Sequence, residues 1–320
     1  MPLDRAIRLR PSLPLAGLAL LALARAGAAQ SRLTIDPTPA DTPRVVGRFA
    51  VLLGNAAIGG LTGGTLQTLR GGSFKDGLVR GALGGTVMYA GKRVAVQEFW
   101  GAGLLGREIN AVGVSMVRNA SDGERTWSRL YLPIGPLPIR ATLDLVNGFR
   151  VAPQLDASAA GWLAAGLLTS GLRLNVAESI SSGAPVFEAY GRWLKDSRHE
   201  VRAYAVSRSV FLGDPALYCF ASPPVRYDVL AHELVHVLQQ DFVLTAWSDP
   251  FARWALGWFG AGRWTQRYVT VDALGWSTGT ASRLMYGADQ RGRFPTEVEA
   301  RSINTRAPRP PSRVVNCVLP

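Results

Sequence analysis

The distribution of apolar and polar positions divides the chain into segments of different texture. The run FAVLLGNAAIGGLTGGTLQTL, Phe49 to Leu69, carries no charge, and after RGGSFKD comes GLVRGALGGTVMYAG with glycines at 77, 81 and 85. Glycine at every fourth position lines one face of a helix and lets a second helix approach closely. The spacing predicts a glycine-rich helical hairpin over residues 45–92, turning near Gly71 and Gly72. From about Arg125 to Cys219 the period changes to two. RTWSRLYLPIGPLPIRATLDL, LRLNVAESISSGAPVFEAY and HEVRAYAVSRSVFLG read as strands broken by Gly-Pro and Leu-Pro turns, and SAAGWLAAGLLTSG as a short helix ending in glycine. Helical spacing returns with Ser222 as a cap and Pro223 in the first turn, and runs to about Asp241. Phe251, Trp254 and Trp258 continue it. The fold class is α+β: the hairpin, a mainly antiparallel strand-rich region over 93–220, a helix-bearing region over 221–306, and a proline-rich tail over 307–320.

The first 29 residues have a different logic. Arg5, Arg8 and Arg10 precede the short apolar run LPLAGLALLALA and a stretch of small residues, the layout of a bacterial secretory signal peptide. Residues 30–44 are a polar, proline-punctuated linker. The expectation is an exported protein: periplasmic, attached to the cell envelope or secreted. In such a compartment Cys219 and Cys317 can form a disulfide that closes a long loop. The hairpin's first arm is long enough to span a bilayer, but it is interrupted by glycines, and the second arm carries Arg80. It is expected to pack tightly and lie against a membrane rather than cross it.

Net charge is +12, yet only Lys75, Lys92 and Lys195 are lysines, so 35 − 3 = 32 of the basic residues are arginine. They are scattered instead of clustered, which argues against a nucleic-acid partner.

Two of the three histidines lie in VLAHELVHVLQQD. His232 and His236, four residues apart, share a helical face and can converge on one cation, and Glu233 lies about 100° round the helix, where it can meet a metal-bound water. Zinc suits two imidazole nitrogens, and it needs a third protein ligand and an open position for catalysis. No histidine follows His236, so the downstream candidates are carboxylates: Glu297, in the first turn of a helix starting near Pro295, or Glu299. His199 reads as a strand-edge residue. The tryptophans 247, 254, 258, 264 and 276 read as packing over the histidine helix.

HELVH followed by EVEA resembles the gluzincin zinc metallopeptidases, in which a glutamate from a later helix completes the site. HELVHVLQQ is especially similar to a bacterial zincin family whose helix reads His-Glu-x-x-His-Val-x-Gln-Gln. The resemblance implies a zincin-like active-site helix packed with the strand region. It also implies a zinc cofactor held by His232, His236 and Glu297, with Glu233 as general base and a peptide or protein as substrate. Where those families carry Asp or Asn to orient a histidine, this chain has Arg301, so the orienting partner is expected from elsewhere. The competing expectation is a non-catalytic envelope protein whose zinc staples a fold with a membrane-associated hairpin.

Overall fold

The computed structural model describes residues 47–146, 148–190, 203–213, 223–252, 268–272, 299–300 and 302–303. The signal segment and linker, His199, Ser222, both cysteines, four of the five tryptophans, Glu297 and Arg301 lie outside these residues. The described chain is mixed α+β.

The hairpin is present. Helix α1 spans Arg48–Leu69 and helix α2 Phe74–Ala95. Between them Gly71 takes a left-handed φ of 84°, and Ser73 caps α2 by accepting from the Asp76 amide. The glycine stripe brings the two backbones into contact: a methyl at Gly63 would stand 2.4 Å from the Gly77 carbonyl oxygen, and one at Gly85 2.1 Å from that of Asn55. Neither backbone can yield without separating the helices. Gly63→Val is therefore expected to cost about 1–3 kcal/mol by overpacking, measured as a lower denaturation midpoint. Among the described residues, α1 alone has the length and apolarity to cross a bilayer, and 39% of its most apolar window is buried.

A third helix corrects the strand-rich reading of 93–220. Helix α3 spans Ala102–Asp122 between two left-handed glycines, Gly101 and Gly123. Gly84 and Gly91 of α2 meet Gly113 and Gly106 of α3 as closely as the hairpin arms meet each other. Helix α3 also buries Arg107, Asn110, Ser115, Arg118 and Asn119. Asn119 donates to the carbonyls of Thr126 and Arg129, which ties the end of α3 to the strand that follows.

Strands begin at Arg129. β1 (Arg129–Pro133), β2 (Ile139–Asp144) and β3 (Arg150–Asp156) form an antiparallel meander, joined in parallel by β8 (Val269–Thr270). Asp156 caps helix α4 (Ala157–Leu168), the short helix expected there. The second sheet has the order β4-β5-β7-β6, from β4 (Leu172–Leu174), β5 (Val186–Ala189), β6 (Ala203–Val206) and β7 (Ser209–Leu212). Its pairings are antiparallel except β5 with β7. The segment between β4 and β5 is a two-turn helix, α5 (Val176–Ser182), not a strand. Asn175 caps it by accepting from the Glu178 amide, and Gly183 ends it in a left-handed conformation. These two end signals outweigh the alternation of Leu172, Leu174 and Val176 that leads into it.

Helix α6 (Pro223–Val243) runs on into a π-helical turn, Leu244–Ser248. Leu230, Leu234 and Val237 pack against Val186, Val210 and Leu212 of the second sheet. Ala231 and Val235 pack against Val51 and Val96 and against Ala300 and Ile303. Further along, Phe242 and Ala246 meet Met88, Val114 and Val117, with Trp247 against them, as expected of a tryptophan packing over this region. Helix α6 is thus wedged between the second sheet and the helical layer.

Buried ion pairs lock the far end of α6. Arg107 donates to both oxygens of Asp241, at 2.8 and 3.2 Å, a two-pronged geometry that fixes orientation as well as distance. Arg208 pairs with Asp156 and Asp241 from the β6–β7 turn, where Ser207 and Arg208 have φ of 43° and 67°. Two positive φ values mark the tight turn that matches strand twist, here without glycine and held instead by the buried guanidinium. Next to this network, burial pushes the Glu108 carboxyl up to about 7, opposed by Arg107 and assisted by Asp241. The folded chain therefore binds this proton more tightly than the unfolded one. That contribution to stability is complete below the ordinary value of 4.5 and is lost as pH rises through about 7. Glu108→Gln is expected to flatten this decline, gaining on the order of 1 kcal/mol at mildly alkaline pH after discounting for partial solvent exposure. Urea denaturation at several pH values would read it.

Candidate metal centre

Helix α6 carries three kinds of surface, and the histidines occupy the one left between its two packed faces. His232 and His236 are half-buried, with ring centroids 4.9 Å apart and planes at 83°. Nδ1 of His232 and Nε2 of His236 are buried atoms. Glu233 is 7% exposed, next to the first histidine on the side toward the second sheet. The two histidines thus share one helical face, with Glu233 beside the first on the adjoining face. Two imidazoles on neighbouring turns could supply two of the three protein positions that a catalytic zinc needs.

Glu299 has a different place from the one considered for it. Its Oε1 accepts from Lys92 Nζ at 2.6 Å and from Asn55 Nδ2 at 2.7 Å, and its Oε2 accepts from Gln239 Nε2 at 2.8 Å. Both oxygens are engaged by donors, so the carboxylate acts as an acceptor hub behind the histidines. Burial disfavours its charge, but Lys92, Asn55 and Gln239 together outweigh that and hold the carboxyl below its usual range. Among the described residues, no three His, Cys, Asp or Glu side chains are grouped to hold a metal, and Glu297 lies outside them.

Two of the hub's donors come from the hairpin. Asn55 is buried in α1, bonding its own Val51 carbonyl as well as Glu299, and its Oδ1 accepts from Lys92 at 2.8 Å. Lys92, in the last turn of α2, has a side chain only 3% exposed. Arg93 beside it donates to the Ile303 carbonyl at 2.8 Å, so the hairpin grips the 299–303 segment twice. None of these residues stood out as part of the site in the sequence. The available signals were a lone asparagine in a charge-free apolar run and one of only three lysines.

The two glutamines that follow the histidines divide their work. Gln239 Oε1 lies 2.8 Å from His236 Nδ1 while its amide nitrogen reaches Glu299. This is the orienting partner that Arg301 left unfilled in the sequence. Gln240 accepts from the Arg208 amide at 2.7 Å and donates to the Ala205 carbonyl at 3.1 Å. It therefore occupies a carbonyl on edge strand β6, and a peptide adding to that edge would have to displace it. No family model, curated protein or solved structure matches the chain.

Proposed function

We propose that the protein is an exported zinc-dependent hydrolase of the cell envelope, acting as a metallopeptidase on peptide or protein substrates. The observation that carries this reading is the paired imidazoles of His232 and His236 with buried Glu233 beside them, the second imidazole braced by Gln239. His232 and His236 are the histidine ligands, and Glu297 is the third ligand, since the oxygens of Glu299 are engaged by Lys92, Asn55 and Gln239. When bound, zinc supplies Lewis acidity, polarising a carbonyl and making water more acidic. Glu233 accepts the proton of the attacking water and returns it to the leaving amine, and its buried setting strengthens both steps by excluding competing solvent. The hairpin presents exposed Leu53, Ile58, Leu61, Val79 and Leu83 on its outer surface, which supports attachment to a membrane surface.

The test is metal analysis of the purified chain with a matched assay on unfolded protein substrates. One equivalent of zinc is expected, lost in His236→Ala together with hydrolysis. A wild-type chain free of zinc at neutral pH sinks the proposal. Zinc held by a fourth protein ligand, with no hydrolysis, would instead mean a structural staple.

A further inference from the structure

We infer that Glu299, held by the hairpin residues Lys92 and Asn55, sets the tautomer of His236 through the side-chain amide of Gln239. The inference rests on the zinc reading for its purpose, but its geometry stands independently.

Each link follows from what its atoms can do. Lys92 Nζ, 2.6 Å from Glu299 Oε1, can only donate, and a carboxylate facing an ammonium can only accept. Glu299 Oε2 must therefore receive a proton from its neighbour at 2.8 Å, which is the NH₂ end of Gln239. An amide so oriented turns its oxygen the other way, toward His236 Nδ1 at 2.8 Å. An amide oxygen has no proton to give, so Nδ1 must carry the hydrogen. In a neutral imidazole that leaves Nε2 as the bare nitrogen, the only one able to ligate a cation. The carboxylate thus reads out at the ring two hydrogen bonds away, and the glutamine transmits a direction rather than a charge. Asn55 secures the start of the chain of bonds by spending its own oxygen on Lys92 and its nitrogen on Glu299.

Gln239, Glu299, Lys92 and Asn55 are accordingly positioning residues for His236. They assign the glycine-rich hairpin a part in the centre that goes beyond packing: it carries the cation that orients everything downstream.

The test reads the ring itself. In nitrogen NMR spectra of the metal-free chain labelled at histidine, His236 is expected to have a pyrrole-like Nδ1 and a pyridine-like Nε2. Gln239→Met, similar in shape but without the amide, should lose that single-tautomer signature. Since Lys92→Met alone strands a buried carboxylate, the informative hairpin variant is Lys92→Met with Glu299→Gln. There Gln239 can face either way, and a mixed signature is expected. Zinc affinity, measured by chelator competition, should fall about 10- to 100-fold in Gln239→Met, the usual effect of removing a ligand's outer partner. A wild-type ring protonated at Nε2, or a Gln239→Met ring unchanged from wild type, overturns the inference. An unchanged zinc affinity in Gln239→Met overturns the positioning role. If the wild-type chain binds no zinc, the hydrolase proposal fails, while the metal-free spectra still decide the tautomer by themselves.

Discussion

Exchanging Glu233 for glutamine is expected to lower hydrolysis by about 10²- to 10⁴-fold, the usual contribution of a positioned general base, with zinc still bound. The substitution preserves shape and hydrogen-bonding reach at a position only 7% exposed, so circular dichroism and the denaturation midpoint should stay near wild type. What it removes is the capacity to take a proton from water. Zinc content separates this from a ligand variant, since His232→Ala and His236→Ala should lose metal and activity together. A zinc-loaded Glu233→Gln chain that hydrolyses substrate at the wild-type rate would exclude Glu233 as the base.

Lys92→Met should destabilise the fold by about 3–5 kcal/mol, because it leaves a buried carboxylate without its counter-charge. The magnitude follows from where the charges lie: the Lys92 and Glu299 side chains are 3% and 15% exposed, and water cannot take over the lost contact. The amides of Asn55 and Gln239 remain, but dipoles cannot neutralise the charge. Adding Glu299→Gln removes the stranded charge and should restore most of the stability, since a buried pair replaced as a pair is often close to neutral. Guanidinium denaturation of the single and double variants measures both effects. A single variant within about 1 kcal/mol of wild type would mean that solvent reaches Glu299 and that the ion pair behaves as a surface pair.

The hairpin and the histidine helix were legible in the sequence because each is written locally. Glycines at 77, 81 and 85 have a period, and His232, Glu233 and His236 have a spacing. Helix α3 falls in the region expected to be strand-rich, although its apolar positions have a helical period and Gly101 and Gly123 mark its two ends. Helix α5 reads as a strand because the alternation of Leu172, Leu174 and Val176 runs into it, while its cap Asn175 and terminal Gly183 carry the helix signal. The hub behind the histidines depends on contacts between residues 207 and 244 positions apart, which no local pattern encodes. Its glutamine was in view, three residues after His236, but its direction depends on a carboxylate that only the fold brings near.

Those separations also bear on the order of assembly. Contacts within the hairpin are local and form with little loss of chain entropy, whereas Asn55 meets Glu299 only after a loop of 244 residues has closed. During synthesis the histidine helix emerges with its glutamine undirected, and the centre stays unfinished until residues 299–303 arrive to be gripped by Lys92 and Arg93. If the proposed hydrolysis is the activity, it waits for that segment to dock on the hairpin, because only then does Glu299 direct Gln239.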